Sequence, residues 1–443
     1  MNETLLHNKG VNSMKKMAKV FLTLLMMVTL MISSSLAFAE GENPEVTLSF
    51  LIQKTEDSAE SKTYKKIAEM YKAEVNPNFN FEPEYISDSA SYYQKLKILI
   101  ASNEMPDWFQ ADPDAFTAEL REAGLIYNVG DMLEELGLTD RFLSITLNYP
   151  RFSDGELYGM AIGANTEWFW YHPSMFEAAG VEAPTTWAEF FEVCEALRAH
   201  GMTPVAAPPR MAMMLRSAAF IPFRMYGNDW IEGAISGKLS WGTDAGIAMG
   251  EFMQKYATYF NEGWSGMDSS AMRDLFLSKG ASMWYESTGQ CLQYLTDENQ
   301  ELLDDIAWFK LPLLDGYDAT DETMYFANSG KAIFMSKAFV EENKEEIYRF
   351  VEYFINHFGD IYLYEYNTCS GIMPSNMDNL SNLYKELYKE FNAVTEYAAC
   401  WDVIIDPVSN EVLKGEIYNL TLGEITPQEF AEIMDQAIEE NVK

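Results

Sequence analysis

The first part of the chain alternates between segments with the apolar spacing of strands and segments with that of helices. Residues 45–53 are apolar and β-branched, and residues 79–86 alternate apolar with polar side chains, so both predict strands. The segment between them has apolar side chains at helical spacing: Tyr64, Ile67, Ala68 and Tyr71. A second helix is predicted over residues 92–101, and a short buried strand begins at Asp107. This order predicts an α/β fold with mainly parallel strands.

Later helices are predicted from their first turns and apolar stripes. Thr186 and Glu189 have the capping-box spacing, in which a hydroxyl and a carboxylate satisfy free N–H groups at a helix start. Thr426 and Glu429 repeat that spacing, and an apolar stripe predicts a helix over residues 341–355. The chain has no internal repeat and no Pro/Ser-rich linker, so two lobes would be joined by several strand-like crossings.

Four consecutive aromatic residues form a separate feature: Trp168, Phe169, Trp170 and Tyr171. On a strand, alternate side chains face opposite sides, so one pair would pack in the core and the other could face a cleft. Burial of all four fits the pattern equally well. Aromatic residues make up 14% of the chain. Since sugar rings lie flat on aromatic rings, this composition suits a neutral polar ligand.

Length and charge exclude several classes of protein. The chain has 443 residues, enough for two or three domains, and a formal net charge of −37, which opposes binding to nucleic acid. It has four His and four Cys, and it lacks the nucleotide-binding, hydrolase and metal-binding motifs. We therefore expect no catalytic residues, no metal site and no cofactor. Cys369 and Cys400 could form a disulfide, although buried free thiols are at least as consistent with their spacing.

The first 39 residues have the pattern of an export signal peptide. A basic segment that begins at Met14 precedes the apolar residues 20–32, and an A-x-A cleavage site ends at Ala39. Met14 is a possible true start. Cleavage removes four lysines and one glutamate, so the mature chain carries a charge of −40. No Cys lies near the cleavage site, so we expect an exported, periplasmic or cell-surface protein without a lipid-anchored cysteine.

Seven short segments, in order, resemble motifs of the family 1 extracellular solute-binding proteins, the sugar-capturing subunits of ATP-binding cassette (ABC) importers. The segments are KILIASNEMPD at 97–107, DGELYGM at 154–160, YHPSMFEAAG at 171–180, APTTWAEF at 183–190, FLSKGASM at 276–283, GIMP at 371–374 and ITPQE at 425–429. The resemblance keeps this order across about residues 45–440. The sequence departs from the family motifs at Ala161, at 172–173, at 286–289 and at 328–330. The last two lie near where the family holds its ligand, so they leave the identity of the ligand open.

The resemblance implies two α/β lobes of a periplasmic-binding-protein-like fold, each with a mainly parallel sheet, and a ligand cleft between them. By segment order, lobe 1 comprises residues 40–163 and 324–366, and lobe 2 comprises residues 167–310 and 371–443. The hinge crossings would lie near 162–166, 311–323 and 366–371. Gly163, Ala164 and Gly316 are small enough to act as hinge residues.

The resemblance also places the ligand-binding residues at strand ends and crossings. By position these are Gln53, Gln110, Asp112, Asn165, Glu286, Ser287 and Asn328, with Trp168 and Trp284 as candidate sugar-stacking platforms. Asp107 is expected to be structural.

The implied function is capture of a sugar, an oligosaccharide, and its delivery by a monomer to the ABC permease. The alternatives are the same fold with a polyamine, peptide or metal complex as ligand, or an exported glycan-active enzyme.

Overall fold

The computed structural model describes residues 43–442 except 153, 209–210, 293, 296–299, 381 and 395. The predicted signal peptide lies outside the described residues. The first run of the chain builds four strands, β1 Val46–Ile52, β2 Phe79–Tyr85, β3 Trp108–Ala111 and β4 Gly159–Ala161. Its helices are α1 Ala59–Glu74, α2 Ser89–Ala101, α3 Ala115–Glu122, α4 Val129–Leu136 and α5 Ser144–Asn148.

The second run contains the strands of the other lobe. They are β5 Asn165–Tyr171, β6 Val205–Ala206, β7 Met283–Ser287, β8 Ala307–Phe309 and β9 Met324–Asn328. Its helices are α6 Pro173–Ala179, α7 Trp187–Ala199, α8 Met211–Ala218, α9 Phe220–Tyr226, α10 Asn228–Ile235, α11 Asp244–Ala257, α12 Ser269–Leu277, α13 Thr288–Leu292 and α14 Gln300–Leu303.

The chain then returns to the first lobe and ends on the second. The return comprises β10 Ala332–Met335, α15 Lys337–Glu342 and α16 Lys344–Tyr366. The last segment comprises α17 Asn382–Ala393, β11 Glu396–Ala398, α18 Trp401–Ile404, α19 Pro407–Leu422 and α20 Pro427–Asn441.

Each lobe is organised around its own sheet. The sheet of lobe 1 has the order β2-β1-β3-β10-β4, with β1 parallel to both β2 and β3 and with β10 antiparallel to β3 and β4. The sheet of lobe 2 has the order β11-β9-β5-β7-β6, and β8 also pairs with β5. Apolar side chains of lobe 1 form core clusters on both faces of its sheet, and a separate, larger cluster fills lobe 2. The predicted α/β fold with two sheets is confirmed.

The predicted helix starts agree with the structure where a capping box marks them. Thr186 Oγ1 accepts a hydrogen bond from the Glu189 N–H at 3.2 Å, and the Glu189 carboxylate accepts one from the Thr186 N–H at 3.1 Å. Thr426 and Glu429 repeat this reciprocal pair at the start of α20. The predicted strands at 45–53 and 79–86 correspond to β1 and β2. The helix predicted over 341–355 is instead part of two helices, α15 and the 23-residue α16.

The second crossing lies between β9 and β10, at residues 329–331, and the prediction of 311–323 is wrong. β9 pairs with β5 and β11, so it belongs to the sheet of lobe 2, and lobe 1 resumes at Ala332 rather than at 324. The segment 311–323 is fixed to lobe 2, because the Arg224 guanidinium of α9 donates to its backbone carbonyls. Gly316 has a left-handed φ of 84° in that segment, so it forms a turn within lobe 2 and not a hinge between the lobes.

Three crossings pack against one another between the two sheets. Gly163, between β4 and β5, forms an isolated bridge with Ser370, and the Gly371 N–H donates to the Ile162 carbonyl at 2.7 Å. A Cβ atom at Gly163 would lie 2.6 Å from the Ser329 carbonyl oxygen. The crossings near 163, 329 and 371 therefore form one tightly packed connection.

The four cysteines are unpaired. Cys194, Cys291, Cys369 and Cys400 are free thiols, so the possible Cys369–Cys400 disulfide is not formed. Within the described ranges, none of the helices has the length and apolar character that crossing a membrane requires.

Candidate functional site

The lobe 1 wall of the cleft is built at the carboxyl ends of β1 and β3. These strands are parallel neighbours, so Gln53, which follows β1, lies beside Gln110 of β3. The Gln110 Oε1 atom accepts from the Gln53 N–H at 2.8 Å, and its Nε2 atom donates to the Tyr64 hydroxyl at 3.1 Å and also to Glu60. Lys54 Nζ lies 3.4 Å from Glu60, so this carboxylate has its own counter-ion.

Asp112 is the second polar position on this wall. Its carboxylate forms an ion pair with Lys331, which lies in the crossing between β9 and β10, and it accepts from the Tyr93 hydroxyl at 3.1 Å. Lys331 Nζ also donates to that hydroxyl at 3.0 Å and lies 4.9 Å from the centroid of the Tyr93 ring. The ion pair therefore connects the end of β3 directly to a crossing between the lobes.

The lobe 2 wall contains a guanidinium between two carboxylates. Arg216 of α8 is paired with the fully buried Glu167 of β5, and its Nε atom donates to Asp402 Oδ1 of α18 at 3.1 Å. A second bond joins Arg216 Nη2 to Asp402 Oδ2 at 3.3 Å. The Tyr285 hydroxyl donates to Glu167 Oε2 at 3.1 Å. These bonds hold the guanidinium in one orientation, with Glu167 behind it and Asp402 beside it.

Burial and charge act against each other in this group. Burial raises the pKa of Glu167, and the nearby Asp402 and Glu286 raise it further, while Arg216 lowers it. Burial also opposes the charged form of Arg216, but Glu167 and Asp402 outweigh it and raise the pKa of the guanidinium. Arg216 therefore stays charged, and its charge is compensated by the two carboxylates.

Tyr149, which follows α5, lies where the two walls meet. Burial raises the pKa of its hydroxyl, and the charges that act on it include Asp112 of lobe 1 and Arg216 of lobe 2. Its ring centroid is 6.0 Å from that of Tyr397, which is on β11 of lobe 2. Both rings are partly exposed. Tyr149 therefore lies between α5 and the lobe 2 strand β11.

Three of the sequence-predicted residues lie where the crossings enter lobe 2. Asn165 and Asn328 are direct partners in the β5–β9 pair, and Ser287 is the partner of Glu167 in the β5–β7 pair. A Cβ atom at Gly289 would lie 2.6 Å from Asn165 Oδ1, so the absence of a side chain there makes room for this carboxamide. With Gln53 and Asp112 on lobe 1, five of the predicted residues lie around the cleft. Gln110 is 0% exposed and its carboxamide is engaged by Gln53, Glu60 and Tyr64, so it supports this wall and does not fit the ligand contact predicted for it.

The other three lie on the opposite face of the lobe 2 sheet. Trp168 is the direct partner of Glu286, and Trp284 that of Trp170, so all four face away from Glu167 and Ser287. Trp168 is 0% exposed and Trp284 is 2% exposed, and Glu286 is also buried. A stacking platform needs a ring face open to the ligand. Neither indole therefore fits the role predicted for it, and the alternative of buried aromatic residues agrees with the structure.

Sequence reasoning missed Arg216 and Glu167, although both carry a recognisable pattern. Arg216 is the single charged residue between positions 211 and 223, and Glu167 is the single charged residue of β5. An ionisable side chain in an apolar segment is buried together with that segment, and a buried charge needs a partner. That pattern predicts an ion pair, but the identity of the partner depends on the tertiary structure.

The chemistry of the cleft is that of hydroxyl and amide recognition. On the lobe 1 wall, Glu60 and Asp112 each have a lysine partner, and on the lobe 2 wall Arg216 is paired with Asp402 and Glu167. Tyrosine hydroxyls and carboxamides lie among these ion pairs. Among the residues that the structure describes, no group of three or more His, Cys, Asp or Glu side chains could hold a metal ion.

Comparisons with known proteins agree with this architecture. The sequence matches the family described as bacterial extracellular solute-binding protein over residues 55–357. The Multiple sugar-binding protein of Streptococcus mutans serotype c is 25% identical over 169 residues, which cover 38% of this chain and 37% of that protein. The match thus spans little more than a third of the length of that curated relative.

Solved structures resemble the chain over nearly its whole length. A chitin oligosaccharide binding protein is 22% identical with a TM-score of 0.72, covering 90% of this chain and 99% of that chain. A sugar transporter from Bacillus licheniformis, in complex with stachyose, is 16% identical with a TM-score of 0.60, covering 90% of this chain and 99% of that chain. These likenesses show the two-lobed fold.

The family match covers more than half of the chain and includes β3, which carries Gln110 and precedes Asp112, and the lobe 2 strands β5 and β7, which carry Glu167 and Ser287. The chain therefore belongs to the bacterial extracellular solute-binding proteins.

Proposed function

We propose that the chain is an exported, monomeric receptor that captures a neutral sugar, an oligosaccharide, in the cleft between its lobes and delivers it to the permease of an ABC importer. It acts by binding and release and not as an enzyme. The names of its relatives support a sugar ligand, because they bind chitin oligosaccharide, stachyose or multiple sugars. The proposed cleft residues are Gln53, Asp112, Asn165, Ser287 and Asn328, with Tyr149 and Tyr397 in place of the buried indoles, and Gln110 supports Gln53 from behind.

The observation that carries this proposal is the pairing of charges inside the cleft. Although the chain carries a net charge of −37, Glu60, Asp112 and Asp402 each lie against a lysine or an arginine. A polyamine would need carboxylates without such partners. Paired ions with adjacent hydroxyl and amide groups instead offer hydrogen bonds to a neutral polyol, each of which must be satisfied when the cleft closes.

Isothermal titration calorimetry on the mature chain tests the ligand class. Chitotetraose, xylotetraose and stachyose are compared with spermidine and a mixed tetrapeptide. We expect one neutral oligosaccharide to bind with a one-to-one stoichiometry and to be recovered intact. Binding of spermidine or the peptide alone, or cleavage of the glycan, would contradict the proposal.

A pair of matched variants tests the position of the site. Asp112→Asn removes the charge that faces the cleft, whereas Asp131→Asn removes an exposed carboxylate from α4 of the same lobe. Hydrogen bonds to charged groups contribute about 1.5–3 kcal/mol, so we expect Asp112→Asn to weaken binding by about tenfold or more. Asp131→Asn is expected to leave the dissociation constant unchanged. Equal affinities of the two variants would place the site elsewhere.

A further inference from the structure

Two buried arginines on consecutive helices have different surroundings. Arg224 of α9 is 1% exposed, and its guanidinium donates to three backbone carbonyls and to the Thr320 hydroxyl. Four of its five N–H groups are thus engaged by the segment 311–321. Burial lowers the pKa of Arg224 to about 10. This side chain fixes a loop to lobe 2 and has little left to offer a ligand.

Arg216 of α8 is engaged by side chains only. Three of its five N–H groups have an acceptor within the described part of the chain, and these acceptors are the carboxylates of Glu167 and Asp402. The residue is 8% exposed, and its charge acts on the Tyr149 hydroxyl, which lies at the junction of the two walls. β11 runs parallel to β9, so the segment after β11 that contains Asp402 leaves the sheet at the same edge as Asn328, where the crossings lie. Its hydrogen bonds to Asp402 hold Arg216 at that edge.

The charges around Arg216 select against an anionic ligand. A free guanidinium attracts carboxylates and phosphates, but this one already has two negative partners, and a third carboxylate, Glu286, acts on Glu167. An added anion would meet net repulsion. A neutral ligand instead finds N–H donors of Arg216 directly beside the carboxylate oxygens of Asp402, which is 10% exposed.

We propose that Arg216 is the specificity-determining ligand contact of lobe 2, and that Arg216 and Asp402 together bind two adjacent hydroxyl groups of a neutral sugar ring. One hydroxyl oxygen accepts from the guanidinium, and the neighbouring hydroxyl donates to Asp402. Glu167 is a positioning residue, because it is fully buried behind Arg216 and fixes the plane of the guanidinium. This inference rests on the proposed function and deepens it, since it names the two adjacent hydroxyl groups by which the sugar is recognised.

The test compares Arg216→Lys with Arg224→Lys in the full mature chain. Lysine keeps the charge that Glu167 requires but loses the planar fork of donors. Dissociation constants are measured by calorimetry for chitotetraose, xylotetraose, stachyose and the anionic tetragalacturonate, and thermal unfolding is recorded in parallel. Asp402→Asn is a third variant that leaves the buried Glu167–Arg216 pair in place. It tests the proposed sugar contact if Arg216→Lys does not fold.

We expect Arg216→Lys and Asp402→Asn to weaken binding of the best neutral glycan by about tenfold to a hundredfold. Arg224→Lys should lower the melting temperature without changing affinity. Unchanged affinity in Arg216→Lys and Asp402→Asn, or tighter binding of tetragalacturonate than of the neutral glycans by the wild type, would overturn the inference while leaving a sugar-binding function intact. Failure of the wild type to bind any of the four glycans would overturn the proposed function and the inference together.

Discussion

The indole of Trp168 is enclosed by aromatic rings. Its ring centroid lies 5.4 Å from that of Trp308 and 5.9 Å from that of Phe391, and both neighbours are stacked against it. Its burial on the side of the sheet opposite Glu167 makes it part of the lobe 2 core. The residue therefore contributes to stability through packing and lies out of reach of a ligand in the cleft.

Trp168→Ala is expected to lower the free energy of unfolding by about 3–5 kcal/mol, because it leaves a large cavity in a packed core. Urea denaturation followed by circular dichroism measures this. The matched control is Trp264→Ala, since Trp264 is partly exposed and contacts two rings, those of Tyr418 at 5.7 Å and Phe260 at 5.4 Å. Unchanged stability with loss of glycan binding would contradict the core assignment and restore the stacking role.

The polar residues at strand ends were predictable from the sequence, whereas the buried aromatic residues were not. Gln53 and Asp112 follow strands whose parallel order is evident, so their meeting at one sheet edge follows from topology. Both faces of β5 are buried, and the elements that cover the Trp168 face, α17 and β8, lie more than a hundred residues away along the chain. For the same reason, the partners of Arg216 could not be read from its neighbours in sequence.

At the scale of elements, local chemistry located the helices with capping boxes but not the second crossing. The Thr186 and Thr426 caps are local hydrogen bonds, so the sequence shows them directly. β9 and β10 are separated by three residues, and no local feature indicates that one strand joins lobe 2 and the other lobe 1. That division is determined by pairing with β5 and β3, which are distant in sequence.

Gly163→Ala tests the packing of the crossings. The added Cβ would lie 2.6 Å from the Ser329 carbonyl oxygen, so we expect a loss of about 1–3 kcal/mol in the free energy of unfolding. The control is Gly415→Ala in the middle of α19, where the Cβ meets no atom within 4 Å. Removing a helical glycine there should stabilise the chain by about 0.5–1 kcal/mol. Chemical denaturation of both variants is the measurement, and equal effects of the two substitutions would show that the crossings are not tightly packed.

At the scale of the whole molecule, the two sheets are separate bodies joined by three adjacent crossings. Lys331 of one crossing is paired with Asp112 on the lobe 1 wall, so a ligand that contacts Asp112 also acts on the connection. A ligand shifts the balance between open and closed forms only by its preference for the closed form. The proposed contacts at Asp112 and Arg216 lie on different lobes, so a ligand held by both would favour the approach of the lobes. We therefore propose that the lobes close on the ligand.

Small-angle X-ray scattering of the mature chain, with and without the neutral oligosaccharide that calorimetry identifies, tests this claim most directly. Rigid-body closure about the crossings predicts a smaller radius of gyration at saturating ligand, and an oligosaccharide that does not bind should leave the radius unchanged. A radius of gyration that stays the same at saturating ligand would contradict closure, and with it the means by which a permease distinguishes the loaded receptor from the empty one.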